Sequence, residues 1–366
     1  MTGAIAGPGD AFKNDAIEVV FQFSLAPSGI TAAPDGAWLL SVSQAEKPRT
    51  RVVKVSRSGK VEPFPNEKMS EAASDSPLPL DAVEGMQLAA DDLVWMLDNG
   101  RRSEVTPRVV AWNHDKNRLQ HVYYIGQPAT VPGSFLTDLA VDPGYPFVYI
   151  SDPANGPDAA LIVLDCTTGL ARRVLQGHPS VIPNSSINLK TTPGGGEERR
   201  LDGVQTLPHG GVDPIALDRK GEWLYFAPLR SGKLYRVKTE LLRSADTSAE
   251  KLSHGVETYA DKPPATSISI DNKGNVYVGD IQGRAIGVID IEKREYRVLT
   301  SDPRLVEPDG LCFGGDGKLY FFSHSQFAAQ PTRSSAPQAP LSTAPSGSLE
   351  HSLYRTKPLA PGRIGD

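Results

Sequence analysis

Apolar and polar positions alternate over short runs throughout the chain, and the runs come in pairs. Residues 307–322, EPDGLCFGGDGKLYFF, place a small polar head before an alternating strand, then a tight turn, then a second strand rich in aromatic and β-branched residues. The phrase returns at 211–226, GVDPIALDRKGEWLYF, and at 265–278, ATSISIDNKGNVYV. Period-two alternation predicts half-buried strands, and the Asp/Lys/Gly turns between them predict hairpins.

Aligning the first strands reveals six such hairpins: 27–42, 83–98, 136–152, 212–228, 265–280 and 308–323, with Gly29, Gly85, Asp138, Pro214, Ser267 and Gly310 equivalent. Successive intervals are 56, 53, 76, 53 and 43 residues, and all but the third are near the roughly 40–50 residues of a propeller blade. A third strand follows each hairpin, as in RVVAWNHDK (108–116) and AIGVIDIEK (285–293), and most continue into a more polar fourth, such as LQHVYYIG and YRVLTSD. The last copy lacks a fourth strand, whereas IEVVFQFSL (17–25) is a strand without a hairpin. The pattern therefore predicts an all-β fold, a six-bladed β-propeller of four-stranded blades in which the N-terminal strand closes the last blade. A β-sandwich or a two-domain chain is the competing arrangement of regular hairpins.

The propeller spans 17–358, between an N-terminal tail (1–16) and a C-terminal tail (359–366). The long third interval is explained by an inserted loop at 176–210, rich in Pro, Gly and charge. Segment 328–348 is of low complexity and reads as a flexible loop, and 66–80 looks similar.

Composition narrows the function classes. The 366 residues are 39% hydrophobic and 22% charged, with 34 Gly and 31 Pro, which favours turns over long helices. A net charge of −5 with interspersed signs argues against nucleic acid or an anionic membrane as partner. Two cysteines, Cys166 and Cys312, are too few for a disulfide framework and read as buried small apolar residues. The N-terminus shows neither a basic start nor an apolar run of signal length, and no stretch approaches the ~18 apolar residues of a membrane span. These features lead us to expect a soluble, cytoplasmic protein.

In a propeller the inner strands run along the axis, so head residues meet at one mouth of the channel. These are Ser28, Glu84, Thr137, Asp213, Thr266 and Asp309, with Asp138 and Ser267 next in sequence. Ends of second strands add Asp98 with Asn99, Asp152 with Asn155, Asp280, and Ser323 with His324. Converging carboxylates need a cation, shared protons or many donors. A hard divalent cation, Ca²⁺ above all, suits Glu84, Asp138, Asp213 and Asp309, with Asp213 or Asp309 as catalytic base. Ser28, Asn99, Thr137, Asp152, Thr266, Ser267, Asp280 and His324 are then candidate contacts for a small-molecule substrate. The plainer reading makes each head Asp a turn cap. Asp35, Asp218, Asp271 and Asp316 belong to turns at the opposite face and are expected to be structural. No nucleophile elbow, P-loop, HExxH or GxGxxG motif stands in credible context, so no organic cofactor is implied.

The runs FLTDLAVDPGYPFVYISDPANGPDAALIVLD, WLYFAPLRSGKLYRVKTELL, NVYVGDIQGRAIGVID and DPRLVEPDGLCFGGDGKLYF resemble the major royal jelly protein/Yellow family, and most of all its bacterial, gluconolactonase-like members. The resemblance covers about 17–358. It implies a six-bladed propeller whose channel binds small molecules; members include Yellow-type proteins linked to dopachrome conversion, salivary amine binders and bacterial proteins labelled lactonases. In the related senescence marker protein/gluconolactonase group a divalent ion is held by Glu at the first head, Asn at the third and fourth and Asp at the fifth. The corresponding positions here are Ser28, Thr137 or Asp138, Asp213 and Thr266. Three functions stay open: a metal-assisted, lactonase-like hydrolase, a metal-free binding or isomerising propeller, and a protein-interaction scaffold.

Overall fold

Both faces of each hairpin are apolar, so each must be covered on two sides, and the structure meets that demand radially. The computed structural model describes residues 16–23, 26–44, 48–71, 78–187, 200–201, 204–205, 210–323 and 351–366. Among these, the strands form six four-stranded antiparallel sheets and a small ribbon, Arg200–Leu201 with Val204–Gln205. Five sheets are simple meanders; blade 2, for example, runs Val83–Leu88, Leu93–Asp98, Arg108–Asn113 and Arg118–Tyr124. Blade 6 takes Pro308–Phe313, Leu319–Ser323 and His351–Thr356 from the C-terminal part of the chain. Its outer strand is Ile17–Phe23, paired with His351–Thr356 from Ile17 opposite Thr356 to Phe23 opposite His351. The ring closes as the sequence predicts.

Alternation along one strand shows why the blades stack. Leu93, Trp95 and Leu97 pack with Leu139, Val148 and Ile150 of blade 3. Val94 and Met96, between them in sequence, pack with Leu39 and Val52 of blade 1. Four more clusters fill the remaining gaps between neighbouring blades. The core is thus six interblade layers rather than one central mass.

Blade 4 departs from the simple pattern. Two short helices, Thr239–Arg243 and Ala249–His254, precede its fourth strand, Val256–Asp261. Segment 66–80 also holds a helical turn, Glu67–Ser70, whose Met69 is buried between blades 1 and 2. The loop 328–348 lies outside the described residues.

The turn aspartates behave as structural residues. Asp271 accepts the Lys273 and Asn275 amides at 2.9 and 3.0 Å and the Tyr277 hydroxyl at 3.0 Å. Asp316 accepts the Lys318 amide and the Tyr320 hydroxyl, Asp218 the Glu222 amide, and Asp35 the Ala37 amide. After the last strand, residues 359–366 cross the end of the channel at this face. Asn272 donates its amide to Pro361, and Phe313 pairs in parallel with Ile364.

Candidate functional site at the acidic mouth

Five of the six inner strands break register at their heads: between Pro27 and Gly29, Val83 and Met86, Val212 and Ile215, Ala265 and Ile268, and Asp309 and Cys312. A bulge frees a residue from the ladder and re-aims its side chain. Here the freed residues include the heads Ser28, Glu84, Asp213 and Thr266, whereas Asp309 stays opposite Phe322 and Gly310 and Leu311 are freed beside it. Glycine makes room for neighbouring strands to approach: a Cβ on Gly29 would lie 2.1 Å from the Glu84 carbonyl oxygen, and one on Gly85 would lie 2.9 Å from the Asp138 Cα.

The result is a cavity of about 390 Å³ on the axis, lined at its mouth by Ser28, Glu84, Thr137, Asp138, Asp213, Thr266, Ser267 and Asp309. Hydroxyl and carboxyl heads alternate around the ring. Ser28 lies beside Glu84, Thr137 beside Asp213 and Thr266 beside Asp309. The Ser28 hydroxyl donates to the Val83 carbonyl at 3.0 Å, Thr137 Oγ1 lies 2.9 Å from Ser151 Oγ, and Thr266 Oγ1 is buried without a hydrogen-bond partner among the described residues. Glu84, Asp213 and Asp309 thus come from alternate blades. Asp138 is a fourth acid, held by the Leu139 amide at 2.8 Å.

These acids hold their protons tightly. Burial, then the charges of Asp213 and Asp309, push Glu84 up to about 8. Burial takes Asp138 up to about 7, with Asp309 adding to it. Burial and the Asp309 charge raise Asp213 well above the usual carboxylate range. Asp309 rises less, to about 6, because the Gly310 amide, donating to Oδ1 at 2.7 Å, opposes burial. Lys262 lies close enough to Asp213 to act on it, and burial brings the Lys262 ammonium down to about 7. Its Nζ donates to the Pro263 carbonyl at 3.0 Å.

The ends of the second strands do not line this cavity, contrary to expectation. Asp152 is fully buried and accepts Ser134 Oγ at 2.6 Å, the Phe135 amide at 2.8 Å and Arg173 Nη1 at 2.6 Å. Asp280 accepts the Gly283 amide at 2.7 Å and the Tyr296 hydroxyl at 2.8 Å. Asn99 acts one step removed: its Nδ2 donates to Glu84 Oε1 at 3.3 Å and to the Leu136 carbonyl at 3.3 Å. Second strands sit one step out from the axis, so their terminal polar groups tie together loops within and between blades. His324 lies outside the described residues. The histidine that lines the cavity is His351, from the third strand of blade 6.

Other lining residues escaped the sequence reading, among them Phe135, Leu229, Glu307, Gln87 and Asp366. Gln87 had a signal, a polar residue inside an otherwise apolar inner strand. Asp366 had none, since its partner Gln87 is 279 positions away.

The ring suits a hard cation in its donor chemistry, being rich in carboxylate and hydroxyl oxygen. As the side chains stand, no three His, Cys, Asp or Glu groups among the described residues converge to hold a metal ion. Among the described residues no helix is long and apolar enough to cross a membrane.

Solved structures with the same architecture include a luciferin-regenerating enzyme, 12% identical with a TM-score of 0.57, the match covering 95% of this chain and 97% of that one. Regucalcin from Agrobacterium tumefaciens, described as a calcium-binding protein, is 12% identical with a TM-score of 0.51, covering 92% and 93%. A gluconolactonase from Xanthomonas campestris is 12% identical with a TM-score of 0.52, covering 85% and 87%. At such identities the likeness is one of fold. No curated protein matches the sequence. The family model for the major royal jelly proteins matches residues 83–330, more than half of the sequence, and on that match the chain belongs to the major royal jelly protein family.

Proposed function

We propose that the chain binds a small organic cation at the channel mouth and moves a proton on it, an isomerase-type reaction that uses no metal. The observation behind this reading is the ring of Glu84, Asp213 and Asp309, which come from alternate blades, with Asp213 and Asp309 raising the proton affinity of Glu84 and Asp309 raising that of Asp213. A ligand ammonium entering the ring offsets that repulsion and becomes the favoured counter-charge. Asp309, at about 6, is ionised near neutral pH and suits a base. Glu84, at about 8, keeps its proton and suits an acid. Asp309 takes a proton from one ligand atom and Glu84 delivers one to another, leaving the ligand's composition unchanged. Both groups then return to their starting states by exchange with water. Apolar lining from Phe135 and Leu229 favours a ligand with an aromatic or aliphatic body.

The oxygen-rich donor set favours a second reading, a metal-assisted hydrolase. Glu84, Asp138, Asp213 and Asp309 would hold Ca²⁺, and Asp213 or Asp309 would serve as base toward a lactone. The ion would supply charge compensation and polarise the carbonyl.

Calorimetry with tyramine in EDTA-containing buffer separates the two. The first reading expects saturable binding, weakened at least about tenfold by Asp309→Asn, and an unfolding midpoint indifferent to Ca²⁺. A midpoint raised by Ca²⁺, with lactone hydrolysis abolished by EDTA, would establish the second reading instead. If tyramine, Ca²⁺ and lactone all leave the protein unaffected, both readings are wrong.

A further inference from the structure

The channel is closed at the end away from the mouth by residues 359–366. The Leu359 amide donates to the Tyr277 hydroxyl at 2.7 Å. The Gly365 amide donates to the Phe313 carbonyl, and the Phe313 amide to the Asp366 carbonyl, each at 2.9 Å. The Thr31 hydroxyl donates to the Gly365 carbonyl at 3.2 Å and the Ser269 hydroxyl to the Asp366 carbonyl at 2.9 Å. Gln87 donates its side-chain amide to the Asp366 carboxylate. One short segment therefore fastens to inner strands of blades 1, 2, 5 and 6. Gly365 passes through a tight gap with φ at +86°, where a Cβ would lie 2.6 Å from the Leu88 Cβ.

Gly365 and Asp366 line the same cavity as Glu84 and Asp309, at its other end. The Asp366 carboxylate receives Gln87 on Oδ1 and has Arg363 Nε 3.4 Å from Oδ2. A carboxylate offers about four acceptor positions, so it retains capacity for a ligand. We propose that residues 359–366 are the floor of the ligand pocket, and that Asp366 accepts a hydroxyl at the end of the ligand remote from the ring. The channel is then one-ended, and a ligand enters and leaves through the acidic mouth. The floor stands on the geometry alone, whereas the ligand role of Asp366 rests on the proposed function above.

Two experiments test the two parts. The first uses Cys312, which lines the cavity and is 2% exposed, as a reporter in a Cys166→Ser background. Adding Gly365→Val to the full-length chain displaces the segment. Modification of Cys312 by methyl methanethiosulfonate is expected to quicken at least about tenfold while unfolding stays cooperative. An unchanged rate in the folded variant overturns the floor. Should the variant not fold, hydrogen exchange on the parent protein decides: the Gly365 and Phe313 amides must exchange as slowly as the inner strands, and fast exchange overturns the floor. The second compares tyramine with phenethylamine, which lacks the hydroxyl. The parent is expected to bind tyramine at least about tenfold more tightly, Asp366→Ala to erase that difference, and Asp309→Asn to weaken both. Equal loss of both amines in Asp366→Ala, or no loss, overturns the Asp366 contact. If neither amine binds, that contact falls with the amine reading, and the Cys312 rate still decides the floor.

Discussion

Glu84 is a carboxyl withdrawn from water among like charges, and its consequences are measurable through stability. The folded state holds the ring protons more tightly than the unfolded chain does. The stability these protons confer is full below the unfolded carboxyl range of about 4. It is lost as pH rises through about 6 for Asp309, 7 for Asp138 and 8 for Glu84. The unfolding midpoint is therefore expected to fall between about pH 5.5 and about pH 8.5. Glu84→Gln should flatten that fall and exceed the parent at about pH 8.5 by roughly 1–3 kcal/mol in denaturant titrations. An unaltered slope would remove Glu84 from the coupled ring. Asp98 presents the opposite case, since Arg108 meets it through Nε at 3.0 Å and Nη2 at 2.8 Å and both are buried. Arg108→Ala leaves that carboxylate unpaired and should destabilise by about 3–5 kcal/mol in the same measurement.

Among the elements, the bulged inner strand positions the site. Gly29 and Gly85 stand where one blade's inner strand meets the next, and a side chain there must push backbone, joined at Gly85 by the Asp138 carboxyl. Gly29→Val is expected to destabilise by roughly 2–4 kcal/mol and to disturb Glu84, whose carbonyl would be struck. Unaltered stability together with unaltered tyramine binding would contradict this account of the bulge. Legibility in the sequence divides at this scale. Strands and turns were readable because alternation and turn chemistry are local: Asp271 and Asp316 cap the hairpins that their Asp/Gly turns announce. The head ring was readable because equivalence between repeats carries Glu84, Asp213 and Asp309 to one mouth. Asp152 and Asp280 were misplaced because sequence gives the end of a strand but not its distance from the axis. His351 and Asp366 were missed because their places depend on pairings across the whole chain, which no local pattern records.

On the scale of the whole molecule, a circle of blades holds together only if its last gap is closed. Ile17–Phe23 closes it, with Phe21 and Phe23 in the cluster shared by blades 6 and 1. Removing residues 1–23 should expose the edge of His351–Thr356 and turn a monodisperse protein into a self-associating one, as light scattering would report. A stable, monodisperse truncated chain would contradict this role. The same closure sets the site, because acids far apart in sequence meet only in a complete ring. That meeting is the central claim, and the most direct measurement of it is a carboxyl-carbon NMR titration, assigned with Glu84→Gln and Asp309→Asn. The account predicts at least two carboxyls titrating above about pH 6, with Glu84 shifting downward when Asp309 is neutralised. Ring carboxyls that all titrate near 4, each indifferent to the other's substitution, would contradict it.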